Sequence, residues 1–227
     1  SVKGTDIKVG KIRVPLTIST GEVALTNEGD GATISAQSIR VQAKDHKVTM
    51  QGSVPFSWKP LGIPRDAPIQ FTADAKEQNL NILELAFGGE QQGPVTSATG
   101  ILTAHVGIDG TLAAWKASGF ARVEDGSVKL RPLHSALEKI NASVTFDPVA
   151  KQLNIENLSL RSSSGGGAET KPGSVVRQVT DSDGTYLVPD ISLALNDLNI
   201  DEVANGFNFG GERFRGTFTT SPQAPLR

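Results

Sequence analysis

Apolar and polar residues alternate with a period of two along most of this chain, the signature of strands that present one apolar face. Residues 11–18 set Ile12, Val14, Leu16 and Ile18 against Arg13, Pro15 and Thr17. Pro15 cannot donate to a ladder, which predicts an edge or an interruption there. A short second strand is predicted over 22–26, closed by an Asn/Gly/Asp-rich turn at 27–31, and a long third over 32–43. In the third the apolar parity changes between Ile34 and Ile39. That change needs an odd insertion, most simply a β-bulge. Residues 48–58 keep Val48, Met50, Val54, Phe56 and Trp58 on one parity. After a proline-stiffened connection at 59–68, Ile69, Phe71, Ala73 and Ala75 alternate with Gln70, Thr72 and Asp74.

Residues 80–87 carry both helical and strand spacings, and the reading favoured is a short helix or turn that plugs an end of a sheet. The clearest alternation follows at 99–108, with Leu102, Ala104, Val106 and Ile108 on one side and Thr103 and His105 on the other. Residues 108–130, IDGTLAAWKASGFARVEDGSVKL, read as three strands joined by tight turns at Asp109-Gly110 and Asp125-Gly126. Such dipeptides favour two-residue hairpin loops because glycine accepts positive φ. Trp115 within this stretch reads as a packing anchor. Residues 132–139 have helical spacing through Leu133 and Leu137. Ile140, Ala142, Val144 and Phe146 then alternate, and a hairpin about Asp147-Pro148 leads into 152–161, where parity slips between Ile155 and Leu158. The run SSSGGGAETKPG at 162–173 has the composition of a mobile loop. Ile191, Leu193 and Leu195 share a face of a strand over 185–196; a short helix at 198–204 and a last strand at 212–220 follow.

Composition narrows the chemistry. Glycine stands at 24 of 227 residues and aromatic side chains at only 5%, so an apolar face here is mostly aliphatic and the turns are many. A net charge of −2 supplies no electrostatic reason to bind nucleic acid or an anionic surface. The absence of cysteine excludes a disulfide framework, thiolate metal sites and a cysteine nucleophile. His46 falls in a predicted solvated turn, His105 on a polar strand face and His134 on a predicted surface helix, so no nucleophile–base pairing is visible and no enzyme, metal site or cofactor is expected. Gly165, Gly166 and Gly167 lack the lysine and helix of a phosphate loop. The DSDG at 181–184 lacks the closing glutamate of a calcium loop. The single methionine, Met50, and the start at Ser1 read as a fragment of a longer protein.

Two passages recur about 120 residues apart, a spacing that calls for a test of internal repetition. NLNILELAFG at 79–88 resembles DLNIDEVANG at 197–206, and ISAQSIR at 34–40 resembles IENLSLR at 155–161. The recurrence implies one structural unit used twice, over 21–130 and 140–227, with a flexible insertion at 162–183.

The motifs GILTAHVGIDGTLAAWKASGFARVEDGSVKL (100–130), INASVTFDPVAKQLNIENLSL (140–160) and VPFSWKPLGIPRDAPI (54–69) resemble the AsmA-like superfamily, and within it the TamB-type proteins of the diderm bacterial envelope. The resemblance covers most of residues 50–220. It implies an all-β fold: one elongated, curved antiparallel sheet forming an open, taco-like groove with an apolar concave face and one or two short helices, continuous over 1–227. It also implies a soluble, periplasmic segment of a parent anchored in the inner membrane. Its groove would shield phospholipid acyl chains on their way to the outer membrane, in company with an outer-membrane barrel partner. The lining residues would be Val54, Phe56, Trp58, Ile69, Phe71, Ala73, Leu102, Ala104, Val106, Ile108, Ile140, Ala142, Val144, Phe146, Ile191, Leu193 and Leu195.

Alternation alone favours a different architecture, a β-sandwich whose apolar residues close on one another; the resemblance reverses that order. A second function also fits: an envelope scaffold or chaperone for outer-membrane protein assembly that holds substrate strands by edge pairing.

Overall fold

Alternating aliphatic residues on one side and Ser, Thr and Gln on the other make strands stable only as parts of a sheet, because each strand's backbone groups need a neighbour. The computed structural model describes residues 5–7, 16–87, 94–131, 136–181, 184–199 and 213–220, and the fold is all-β and antiparallel. In chain order the strands are β1 (Thr5–Ile7), β2 (Leu16–Glu28), β3 (Gly31–Ala43), β4 (His46–Trp58), β5 (Leu61–Gly62), β6 (Pro68–Asn79), β7 (Val95–Thr111) and β8 (Trp115–Leu130). They continue with β9 (Leu137–Asp147), β10 (Gln152–Ser162), β11 (Gly167–Thr170), β12 (Val175–Asp181), β13 (Gly184–Asp190), β14 (Ser192–Asn199) and β15 (Arg213–Thr219). One helix, α1 (Ile82–Phe87), stands between β6 and β7.

The chain forms two compact units, Ser1–Gln78 with Thr103–Gly119, and Asn79–Leu102 with Phe120–Arg227. In the first, β2, β3, β4 and β6 are hydrogen-bonded in that order, with β1 beside β2 and β5 beside β4. In the second, the order runs β9, β10, β11, β14, β15, and the β12–β13 hairpin branches from the start of β10 through Asn154 opposite Val175.

Residues in the left-handed region punctuate the strands. Ser38 (φ 51°), Glu77 (48°), Asp125 (47°), Lys139 (49°) and Asp197 (52°) all lie inside strands. Three coincide with breaks in register: Ser38 between Ala36 and Ile39, Lys139 opposite the break between Ser159 and Arg161, and Asp197 between Leu195 and Leu198. A bulge adds one residue to one strand and so reverses the parity of everything beyond it. The parity changes at 34–39 and at 155–158 are indeed bulges, the second lying between Ile155 and Asn157.

Several expectations change. Residues 16–28 are one strand with two register breaks rather than two strands, since pairing with β3 continues from Thr17–Gln42 to Glu28–Gly31; residues 11–15 lie outside the described residues. Asp109-Gly110 sits inside β7, and the turn falls at Leu112-Ala113, where Thr111 and Ala114 exchange backbone hydrogen bonds of 3.3 and 3.1 Å. Asp125-Gly126 sits inside β8. The Asp125 N–H donates to Asn141 Oδ1 at 3.1 Å, and a Cβ on Gly100 would meet the Gly126 Cα at 2.6 Å. A close backbone approach, not a hairpin loop, uses that glycine.

Leu137 opens β9 opposite Ser162, so ladder pairing overrides the helical spacing predicted for 132–139; residues 132–135, His134 among them, lie outside the described residues. The glycine-serine run holds a strand, β11, because Ala168 is buried between Leu160 and Leu195 and Thr170 Oγ1 accepts the Leu158 N–H at 2.9 Å. Leu198 and Asn199 end β14 where a helix was predicted, and 200–204 lie outside the described residues. The predicted helix at 80–87 is α1. Asn79 Oδ1 accepts the Asn81 N–H at its start, Glu84 Oε1 accepts the Ala98 N–H at 2.7 Å, and Leu80 is 2% exposed.

Candidate functional site

Directly opposed residues of an antiparallel pair share a face, so the register decides which predicted residues meet. In the first unit β4 is regular, and Val48, Met50, Val54, Phe56 and Trp58 share one side. Phe71 lies opposite Gly52 and Ala73 opposite Met50, which turns the predicted Ile69, Phe71 and Ala73 to that same side. His105 Nδ1 bonds Asp74 Oδ1 at 2.8 Å. Asp74 points to the other side of β6, so alternation directs Ala104, Val106 and Ile108 of β7 to the side of Ala73. All nine predicted positions of this unit, Val54 through Ile108 without Leu102, therefore meet on one face.

Sequence reasoning did not assign β2 and β3 to that face. Ala32, Ile34 and Ala36 stand opposite Phe56, Val54 and Gly52, while Ile39 and Val41 stand opposite Met50 and Val48. The even residues before Ser38 and the odd residues after it reach the same side because the bulge intervenes. Val23 and Leu25, opposite Ala36 and Ile34, extend the face. The signal was present in the Ile34–Ile39 parity change, and following it into strand pairing would have recovered these residues.

In the second unit Phe146, Val144 and Ala142 stand opposite Leu153, Ile155 and Leu158. The bulge between Ile155 and Asn157 keeps all three β10 side chains on one side. Leu160 then pairs Ala168, Ala168 pairs Leu195 and Thr170 pairs Leu193. Leu193 and Leu195 thus join the face of Ala142, Val144 and Phe146, and Phe218 opposite Leu193 extends it. Ile140 shares the parity of Ala142 and lies against Gly126. Ile191 precedes β14; its carbonyl accepts the Thr220 N–H at 2.9 Å and its N–H donates to Thr220 Oγ1 at 2.8 Å. Leu102 is half-buried in β7, two residues beyond Gly100.

These faces are not a sealed core. Among the described residues the buried apolar side chains are few and scattered, whereas Val23, at 48% exposure, Leu25, at 57%, Met50, Val106 and Phe218 are open. A sandwich core would bury them. The opposite side of the first unit is polar and uncharged at its centre: Ser35, Gln37, Gln51, Ser53, Gln70 and Thr72 line a shallow depression of about 360 Å³.

The histidines divide. The two-residue turn is Lys44-Asp45, so His46 is already the first strand residue, opposite Ala43 and on the parity of Val48. It is 4% exposed, not solvated as predicted, and its Nδ1 meets no hydrogen-bond partner among the described residues. His105 lies on the polar side, as predicted. No group of three potential metal ligands is gathered among the described residues. Trp115 is exposed and anchors no core.

The fold is that of an antiparallel β-sheet protein, and each of its two units carries an aliphatic face that is not sealed. No protein-family model, curated protein or solved structure matches the chain.

Proposed function

We propose that this chain is a segment of a lipid conduit, in which the aliphatic face of the sheet curves into a groove and shields phospholipid acyl chains as they cross the periplasm between the inner and outer membranes. The observation that carries this reading is the bulges: in each unit, at Ser38 and between Ile155 and Asn157, an extra residue keeps successive apolar side chains on one face that is not sealed, with Val23, Leu25, Met50 and Val106 open in the first unit and Phe218 in the second. An aliphatic face stabilises an acyl chain by ~0.8 kcal/mol per buried CH₂ and makes no directional bonds, so the chain can slide. A back whose centre in the first unit is Ser, Thr and Gln suits a wall that faces water. The TamB-type resemblance of residues 54–69, 100–130 and 140–160 supports the same reading, including the membrane-anchored parent and the barrel partner.

The test is site-specific photo-crosslinking in cells from Leu102, Val106 and Val144, with Ser53 and Gln70 on the polar side as controls. Phospholipid adducts from the first three and none from the controls are expected. No lipid adduct from any of the three overturns the conduit, and polypeptide adducts in their place support the strand-binding scaffold.

A further inference from the structure

The polar side of the first unit carries an arrangement that the aliphatic face does not account for. His105 Nδ1 and Asp74 Oδ1 meet at 2.8 Å. A carboxylate only accepts, so in the neutral imidazole Nδ1 carries the proton and Nε2 is the basic nitrogen. Nε2 borders a notch over Gly107: a Cβ built there would meet it at 3.8 Å and Ser118 Oγ at 3.1 Å. Gly107 has no side chain to fill that space, which lies between the imidazole of β7 and the hydroxyl of β8. Asp74, His105, Gly107 and Ser118 all belong to the first unit. No hydrogen bond joins Ser118 to the ring among the described residues; between a nucleophile and its base that contact often tightens only with substrate in place.

Strand direction brings a further hydroxyl toward the notch. β6 and β7 are antiparallel neighbours, so Thr72, two residues before Asp74, flanks Gly107, two residues after His105, on the same side. Thr72 Oγ1 is buried and has no hydrogen-bond partner among the described residues. Beyond it the depression continues over Gln51, Ser53 and Gln70, all uncharged. On that side Asp109 and Lys116, the next residues along β7 and β8, carry opposite charges, so the surroundings select no ion. A hydroxyl beside an imidazole that a carboxylate orients is the constellation of acyl transfer. We propose that this chain hydrolyses uncharged carboxylic esters of polyhydroxy alcohols, with Ser118 as nucleophile, His105 as base and Asp74 as the positioning residue. Ser118 Oγ attacks the carbonyl carbon as its proton passes to Nε2, and the Thr72 hydroxyl donates to the developing oxyanion. The C–O bond to the alcohol breaks and the alcohol leaves with the Nε2 proton. Water, deprotonated by the same nitrogen, then cleaves the acyl-serine and releases the acid. The amides and hydroxyls of the depression bond the alcohol part. The activity belongs to the polar side and stands apart from the conduit.

Two measurements on the purified full chain test this. Treatment with a fluorophosphonate, read by intact mass and peptide mapping, should give one adduct, on Ser118. Hydrolysis of glycerol monobutyrate, followed by titration of the released acid, should be measurable and lost in Ser118→Ala. Ser118 is exposed, so that variant should keep the wild-type circular dichroism melt. His105→Gln should slow both labelling and hydrolysis about 100-fold or more. Asp74→Asn should lower kcat with KM unchanged, a split that a merely structural role would not produce. Absence of an adduct on Ser118, or equal hydrolysis by Ser118→Ala, overturns the proposal.

Discussion

His105 Nδ1 lies 2.8 Å from Asp74 Oδ1, and this pair joins β6 to β7 on the side of the sheet opposite Ala73 and Val106. Both side chains are about one-third exposed, so solvent screens the contact. Asp74→Asn should lower stability by no more than about 1 kcal/mol and leave lipid crosslinking at Val106 unchanged. Denaturant melts and crosslinking on one protein preparation check both halves. Loss of crosslinking with stability intact would mean that the two sides are not functionally separate.

Ser38 occupies φ 51° at the β3 bulge, where a β-carbon is crowded. Ser38→Gly should stabilise by up to about 1 kcal/mol, and Ser38→Val should destabilise by about 1–2 kcal/mol, because β-branching is worst in that region. Deleting Ser38 should cost more than either, since Ile39 and Val41 would turn to the polar side. Urea unfolding midpoints rank the three variants.

Gly100, at φ 123°, has no room for a β-carbon: the nearest atom would be the Gly126 Cα. Gly100→Ala should destabilise by about 2 kcal/mol or more, through both strain and backbone displacement. Gly165→Ala, at φ 117° with nothing within 4 Å, should cost less, from strain alone. Equal thermal shifts for the two variants would refute the close approach of β7 and β8.

Val106 is exposed, whereas Ile69, on the same face, is buried. Val106→Asp should shift unfolding by less than about 1 kcal/mol, while Ile69→Asp should cost several kcal/mol, because only the second buries an unpaired carboxylate. Comparable losses at the two sites, read by circular dichroism melts, would mark the face as a sealed core.

His46 is buried with Nδ1 unsatisfied among the described residues. An unmade buried hydrogen bond costs about 1–3 kcal/mol, so His46→Leu should be neutral or stabilising in a urea melt at neutral pH. A marked destabilisation would show that the imidazole is satisfied and structural.

Legibility varied with the range of the forces involved. Strands such as 48–58 and 99–108 were visible because alternation is a local property, and the bulges at 34–39 and 155–158 betrayed themselves as parity changes within one strand. Asp125-Gly126 misled because the same dipeptide suits a two-residue turn and a close backbone approach inside a strand; the choice depends on Asn141 and Gly100, distant in sequence. Leu137 and Ala168 were misassigned because neither helical spacing nor serine-glycine composition reports a waiting ladder partner.

The sequence by itself determined an all-β chain with an aliphatic parity and the places where parity must shift, since these follow from residue type and spacing; at 80–87 it left helix, turn and strand open, and the structure decided for a helix over Ile82–Phe87. Tertiary structure alone decided which strands share a face, that β2 and β3 extend it, that His46 is buried and that Trp115 is exposed. Those facts rest on hydrogen-bond register between distant segments, and a single residue of register separates an apolar face from a polar one.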